Sequence, residues 1–254
     1  MSTVSDHLHI FKSLDHSKVR YGPPHDGGYV ILDNLIYDLF ITCGVDDVAG
    51  FEIDFLTDHK NLACIAYDGT VNGQWMEEAH SNIKFYKKNI SSSVSDDSTN
   101  LHDIIEETNN IFLQMDIEGH EYEWLNSLSE KHLLKFNQMV IEFHSNCCGI
   151  NEFGKDQVSA LEKIACTHHL VHLHGNNHNF VTAYNGVKVP NVFEATYVKK
   201  SLLPNIIPNE DPIPGELDFA NGANTGQPRD ICLIGPPYTT AGAKFTTEHP
   251  CSEG

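Results

Sequence analysis

The chain has 254 residues, 40% of them hydrophobic, and a formal net charge of −19 from 16 Lys+Arg against 35 Asp+Glu. The apolar content supports a sizeable core and argues against disorder. The acidity and scattered bases argue against DNA or RNA as partner, because phosphate backbones are held by clustered Lys and Arg. In chain order, short apolar runs predict strands at Leu39–Cys43, Leu62–Tyr67, Ile83–Tyr86, Ile111–Met115, Gln138–Phe143, Leu170–Leu173 and Phe193–Val198. Several are apolar at nearly every position, as strands covered on both faces are. Helices are predicted at Phe51–Asp58, Leu101–Glu107, Tyr122–Leu128 and Asp156–His168, the last with Val158, Leu161, Ile164 and Ala165 at helical spacing. Strands alternating with helices predict an α/β, doubly wound, largely parallel sheet. From Ser201 onward, prolines at 204, 208, 212, 214, 228, 236, 237 and 250 exclude long helices and central strands. The expected organisation is a domain over 1–200 and an irregular extension over 201–254 packed on it, with Gly242–Gly254 expected to be mobile.

No apolar run approaches the ~20 residues that span a bilayer, and the polar stretch Met1–His16 lacks the apolar centre of a signal peptide. The seven cysteines, Cys43, Cys64, Cys147, Cys148, Cys166, Cys232 and Cys251, form no CxxC pair, and their number is odd. Reduced thiols and a soluble, cytoplasmic protein are therefore expected.

In open parallel sheets, ligands bind beyond the carboxyl ends of the strands. After the first strand comes Cys43-Gly44-Val45-Asp46-Asp47, where a glycine lets a ligand approach the backbone and the next helix offers its N–H groups. The GxGxxG of a dinucleotide site is missing. Asp68 ends the second strand 24 residues beyond Gly44, near the offset of a ribose-binding acid; an ordinary Asp-Gly turn is the alternative. After the fourth strand, Asp116, Glu118, His120, Glu121 and Glu123 crowd together. Glu121 and Glu123 read as first-turn acids favoured by the helix dipole, whereas Asp116 is a ligand or metal contact. Glu142 and His144 share one face of the fifth strand, and His172 and His174 one face of the sixth. Asp116, Glu142, His144 and His174 form a candidate divalent-metal set, whose mixed O/N donors suit Mg or Mn.

Four segments carry a resemblance: Arg20 to Val30 with Asp26-Gly27-Gly28; Cys43 to Asp47 with Phe51-Glu52; Met115-Asp116-Ile117-Glu118-Gly119-His120-Glu121; and Gln138 to His144. With His172 to Asn177 and Glu194 to Tyr197, they resemble the FkbM-like class I S-adenosylmethionine-dependent methyltransferases over roughly Arg20–Lys199. The resemblance implies a Rossmann-like seven-stranded fold, S-adenosylmethionine as cofactor, and O-methylation of a hydroxyl, often on a sugar. It places Gly44, Val45 and Asp47 on the methionine side of the cofactor and Asp68 at the ribose, with Glu52 as a further cofactor-binding residue. Asp116 falls at the sulfonium or acceptor, with Asp26, Gly27 and Gly28 as a cover. Asp116, Glu142 and His144 are the expected catalytic groups. The competing readings are a nicotinamide oxidoreductase, a metal-dependent hydrolase and a non-catalytic sugar-binding module.

Overall fold

The computed structural model describes residues 2–45, 47–145, 153–178, 180–184, 186–222 and 230–240. The expectations for Asp46, Cys147, Cys148, Cys251 and 242–254 lie outside them. Seven strands form the central sheet: β1 (Leu39–Cys43), β2 (Cys64–Tyr67), β3 (Ile83–Tyr86), β4 (Ile111–Met115), β5 (Phe136–His144), β6 (His168–Gly175) and β7 (Val192–Lys199). Their order is β6-β7-β5-β4-β1-β2-β3. β3 through β5 run parallel, and β7 lies antiparallel between β5 and β6. The chain thus winds outward from β1 in both directions, which leaves a topological switch point, and hence a crevice, at the carboxyl ends of β1 and β4.

Alternation along the strands divides the core. Leu39, Ile41, Cys43, Leu113 and Ile141 face one layer with Trp124 and Leu161, while Phe40, Phe112 and Val140 face the other with Phe51 and Phe55. On the second face Phe40 and Phe112 stack with ring centres 5.1 Å apart, a geometry worth ~0.5–1.5 kcal/mol beyond area burial. The flanking helices are α1 (Gly50–Asp58), α2 (Gln74–Ala79), α3 (His102–Glu107), α4 (Glu121–Ser127), α5 (Glu130–Leu133) and α6 (Lys155–Thr167). The four predicted helices correspond to α1, α3, α4 and α6. α2 and α5 are too short to print a periodicity; α2 buries only Met76.

Strand bounds shift where tertiary pairing extends or trims them. Leu62 is buried, but its N–H closes a turn onto the His59 carbonyl (2.9 Å), so β2 begins at Cys64. β5 is longer than its apolar run because β7 pairs with it from Gln138 to His144. A hairpin, Lys18–Tyr21 with Tyr29–Leu32, precedes the sheet. It is fastened by one polar side chain from each of β5 and β7. Gln138 exchanges bonds with the Leu32 backbone (2.9 and 3.1 Å), and the Thr196 hydroxyl donates to the Val30 carbonyl (2.5 Å).

The extension is irregular apart from Ile206–Pro208, which pairs with Phe11–Ser13. Among the described residues no helix is long and apolar enough to cross a membrane. Cys43, Cys64 and Cys166 are free thiols, but Cys232 is disulfide-bonded. That corrects the expectation of reduced thiols throughout, since disulfides persist in oxidising surroundings.

Candidate functional site

The turn after β1 requires its glycine. Gly44 has φ +77°, and a Cβ there would sit 1.6 Å from the Asp116 carbonyl oxygen, so only glycine lets the β1 and β4 ends lie side by side. The approach is locked by Asp116 N–H donating to Cys43 O and Gly44 N–H donating to Tyr67 O, both 2.9 Å. Asp68 joins the first two loops. One carboxylate oxygen accepts from Val45 N–H (3.1 Å), and the other accepts from the backbone and hydroxyl of Thr70 (2.7 and 2.6 Å). The Asp-Gly turn and the meeting of the two loops are therefore one arrangement.

A cavity of about 690 Å³ opens over these strand ends. Gly44 and Asp68 line it, with Asn89 and Ser91 after β3, Asp116 and Glu118 after β4, and Asp26 from the N-terminal loop. Its size lies within the ~300–1,000 Å³ usual for small-ligand sites.

The loop after β4 turns sharply, with left-handed backbone at Glu118 (φ +55°) and Gly119 (φ +103°). For a non-glycine this costs ~1–3 kcal/mol and concentrates at functional positions. The fully buried Glu121 holds the loop. Its Oε1 accepts from Gly119 N–H (2.9 Å), Ile117 N–H (3.3 Å) and His144 Nδ1 (3.1 Å). Glu121 is thus a first-turn acid of α4, as expected, and its burial adds the bond to His144. Glu123 lines the cavity and accepts from the Ser92 hydroxyl. With Nδ1 held, His144 turns Nε2 toward Asp116 Oδ1 (3.8 Å) and Glu118 Oε2 (3.6 Å). Burial opposes charge on His144, but the bond and charge of Glu121, then Asp116 and Glu118, raise it to about 9. Burial raises Asp116 to about 7 against the pull of His144, and its Oδ1 is buried without a hydrogen-bond partner.

The expected convergence of Asp116, Glu142, His144 and His174 resolves into two neighbouring clusters. Asp116, Glu118 and His144 offer donor atoms within 4.8 Å of one another, and so do Asp26, Glu142 and Glu194. His174 belongs to neither as a ligand. Its Nδ1 faces Glu194 (3.4 Å) and its Nε2 faces Asp230 (2.9 Å), so both ring nitrogens are engaged. Burial opposes its protonation, but Asp230 and Glu194 outweigh that and hold the ring cationic. A protonated imidazole has no lone pair for a metal, which corrects the expectation for His174. His172 is occupied as well, against Asp218 (2.9 Å) and Lys18 (3.3 Å).

The expected cofactor residues divide similarly. Asp26, Gly44, Asp68 and Asp116 line the cavity, whereas Gly27, Gly28, Val45, Asp47 and Glu52 do not. Val45 contributes its N–H to Asp68, and Asp47 is exposed. Gly27 and Gly28 lie in a turn whose carbonyls at Pro23 and His25 accept from Arg20 (2.9 and 3.0 Å), which sets Asp26 at the cleft edge. Glu52 is corrected to an interior residue: it accepts from the Thr42 hydroxyl (2.5 Å), and burial raises it to about 7.

Asn221 and Asp230 were not singled out from the sequence, and Glu194 and Asn176 entered only within segments that carry the family resemblance, with no role assigned. The one available signal was Glu194 alternating with Thr196 in an otherwise apolar strand.

A family model described as the methyltransferase FkbM domain matches residues 26–180. The chain belongs to this family. It is therefore a methyltransferase of the class that uses S-adenosylmethionine, and the sheet order agrees with that fold. Two solved structures similar to the chain are a 16S rRNA (adenine(1408)-N(1))-methyltransferase from Catenulisporales acidiphilia and a precorrin-6y C5,15-methyltransferase from Geobacter metallireducens. The first is 9% identical with TM-score 0.35, covering 66% of this chain and 93% of that one. The second is 12% identical with TM-score 0.36, covering 66% of this chain and 82% of that one. No curated protein matches the chain.

Proposed function

We propose that this methyltransferase acts on a hydroxyl oxygen, best fitted by that of a sugar or glycan, with the cofactor in the 690 Å³ cavity. The cavity fits the cofactor: it has room for it, and its acids complement a cation. Asp68 would hold the ribose and the backbone around Gly44 the methionine end, and Asp26 and Asp116 would face the sulfonium. Bound there, S-adenosylmethionine supplies an activated methyl group.

The chain's own task is to orient the acceptor and take its proton. In-line positioning of reacting groups contributes up to ~7–11 kcal/mol in the best intramolecular cases. A base is most effective when it titrates near the working pH. Asp116, raised to about 7 by burial, meets that condition, whereas His144, raised to about 9 against its burial by Glu121, stays protonated and positions Asp116. Of the expected catalytic groups, Asp116 rather than His144 is then the base. A divalent ion such as Mg or Mn beside them would acidify the hydroxyl. The single observation carrying this reading is the buried, unpartnered Asp116 Oδ1 at the cavity wall, facing a histidine whose other nitrogen is clamped. We take 1–200 as the methyltransferase domain and 201–254 as an extension that walls the acceptor side, because Asp218, Asn221 and Asp230 reach the strand-end residues.

The test is methyl transfer from labelled S-adenosylmethionine to a panel of sugars and their deoxy analogues. D116N should keep affinity for S-adenosylhomocysteine but lose about 10²–10⁴-fold in turnover. Unchanged turnover would remove Asp116 from the chemistry, and transfer to amines alone would refute the hydroxyl reading.

A further inference from the structure

The segment from Gly215 to Gly222 has no helix or strand, yet it is pinned along its length. Asp218 accepts from Gly215 N–H (2.6 Å) and from His172 of β6 (2.9 Å). Asn221 donates to Asp26 Oδ1 (3.1 Å) and Glu194 Oε1 (2.7 Å), and Gly222 N–H donates to the Asn177 side chain (2.7 Å). The side chains of Asp218 and Asn221 are thereby turned inward, while Phe219 between them is turned outward and is 44% exposed. A single apolar side chain in water is ordinary on a protein surface. Two further observations set this one apart.

The first is that the ring is fixed. The Arg20 guanidinium lies over it, 5.1 Å from the ring centre, within the ~6 Å reach of cation–π attraction. Arg20 is itself anchored, donating to the carbonyls of Pro23 and His25 (2.9 and 3.0 Å) and of Leu217 (3.4 Å). One face of the ring is thus backed by a planar group, and the exposed area belongs to the rest of the ring. The second is where the ring stands. The turn that holds Arg20 leads directly into Asp26, which lines the cofactor cavity. Asn221, bonded to that same Asp26, is two residues from Phe219, a Cα separation of at most ~7 Å. Phe219 therefore stands next to the Asp26 wall of the cavity, on the side formed by the extension. Tyr238, the other aromatic residue described in the extension, is buried and donates its hydroxyl to the Lys188 carbonyl (2.7 Å), so it offers no face.

We propose that Phe219 is the acceptor platform of this methyltransferase: its open face stacks on the C–H face of a pyranose ring whose hydroxyl enters the cavity past Asp26. The face of an aromatic ring is electron-rich, and one side of a pyranose presents axial C–H groups that are apolar and slightly positive at hydrogen. The sugar hydroxyls point outward around the ring and stay free for water or for the polar cavity wall. A phenyl ring already held in place surrenders little side-chain freedom when the sugar arrives. The inference rests on the sugar reading above and adds the residue that selects a ring over an open-chain polyol. Phe219 sets specificity and takes no part in the transfer of methyl or proton.

The probes are methyl β-D-glucopyranoside, which carries three axial C–H groups on one face, and glucitol, which offers its hydroxyls on a flexible chain. Both are titrated into the full chain loaded with S-adenosylhomocysteine and followed by saturation-transfer NMR. Affinity for S-adenosylhomocysteine is measured by calorimetry. Wild type is expected to bind the glycoside more tightly than glucitol, with the strongest saturation at the three axial hydrogens. F219A should weaken glycoside binding about 5–20-fold, leave glucitol and S-adenosylhomocysteine unchanged, and melt within about 2 °C of wild type. F219W should restore the glycoside. A merely structural phenylalanine would instead shift the melting point and all three ligands together. Wild type that binds no glycoside, or F219A that binds it as well as wild type, would overturn the platform, as would loss of S-adenosylhomocysteine affinity in F219A. Methyl transfer is read separately: sugars methylated with F219A unimpaired would sink the platform alone, whereas transfer to amines alone would sink the hydroxyl reading.

Discussion

Gly44 is where the close approach of β1 and β4 can be tested by a single atom. Gly44→Ala adds a Cβ to a residue at φ +77° and 1.6 Å from the Asp116 carbonyl oxygen. The left-handed backbone alone costs ~1–2 kcal/mol for an L-residue. Relieving the overlap moves backbone rather than a flexible side chain, and forced overpacking costs a further ~1–3 kcal/mol. Gly186 is the matched control: φ is +84°, and nothing lies within 4 Å of its would-be Cβ. Gly186→Ala therefore pays the backbone cost only. At about 2–4 °C per kcal/mol for a chain of this size, G186A should melt roughly 2–8 °C lower and G44A, with the overlap added, roughly 4–20 °C lower. Calorimetry with S-adenosylhomocysteine should then show wild-type affinity in G186A and at least about a tenfold loss in G44A, or about 1.4 kcal/mol. Equal melting points with full affinity in both would refute the reasoning.

Two further predictions concern other parts of the molecule. His168, buried at the start of β6 with its ring nitrogens on the Thr167 hydroxyl (2.7 Å) and the Phe136 carbonyl (3.0 Å), is lowered to about 4 by burial. Its folded pKa lies below the ordinary ~6.5, so its contribution is complete above pH ~6.5 and is lost as pH falls toward 4. The stability gap between wild type and H168Q, from urea unfolding, should shrink by about 3 kcal/mol between pH 7 and pH 4; a constant gap would mean that the imidazole is not held neutral. E121A should destabilise by about 3–5 kcal/mol, because it strands His144 and two loop N–H groups. E121Q, which keeps an acceptor for the loop, should lose less, and equal losses would show that the loop does not depend on that bond.

The sheet was legible because its strands carry an internal signature. β1 and β4 match their apolar runs, since a strand buried on both faces needs no partner to be recognised, and β3 matches as a half-buried edge strand. The strand-end positions of Gly44, Asp68 and Asp116 followed from the doubly wound topology. What lies across strands was hidden. The row Glu142–Glu194–His174 exists only because β7 enters antiparallel between β5 and β6, and no local pattern encodes that. Glu121 carries the composition of a helix-capping acid, and only its burial beneath the loop gives it His144. Glu52 follows the glycine turn in sequence, yet helix periodicity turns it inward to Thr42. His174 is shaped by Asp230, a partner 56 residues away in an irregular segment.

The most direct test is a crystal structure of the chain with S-adenosylhomocysteine bound. The account predicts the ribose against Asp68, the thioether sulfur beside Asp116, and the homocysteine end over the Gly44 turn. Ligand density elsewhere, with the space between Gly44, Asp68 and Asp116 filled only by solvent, would contradict it.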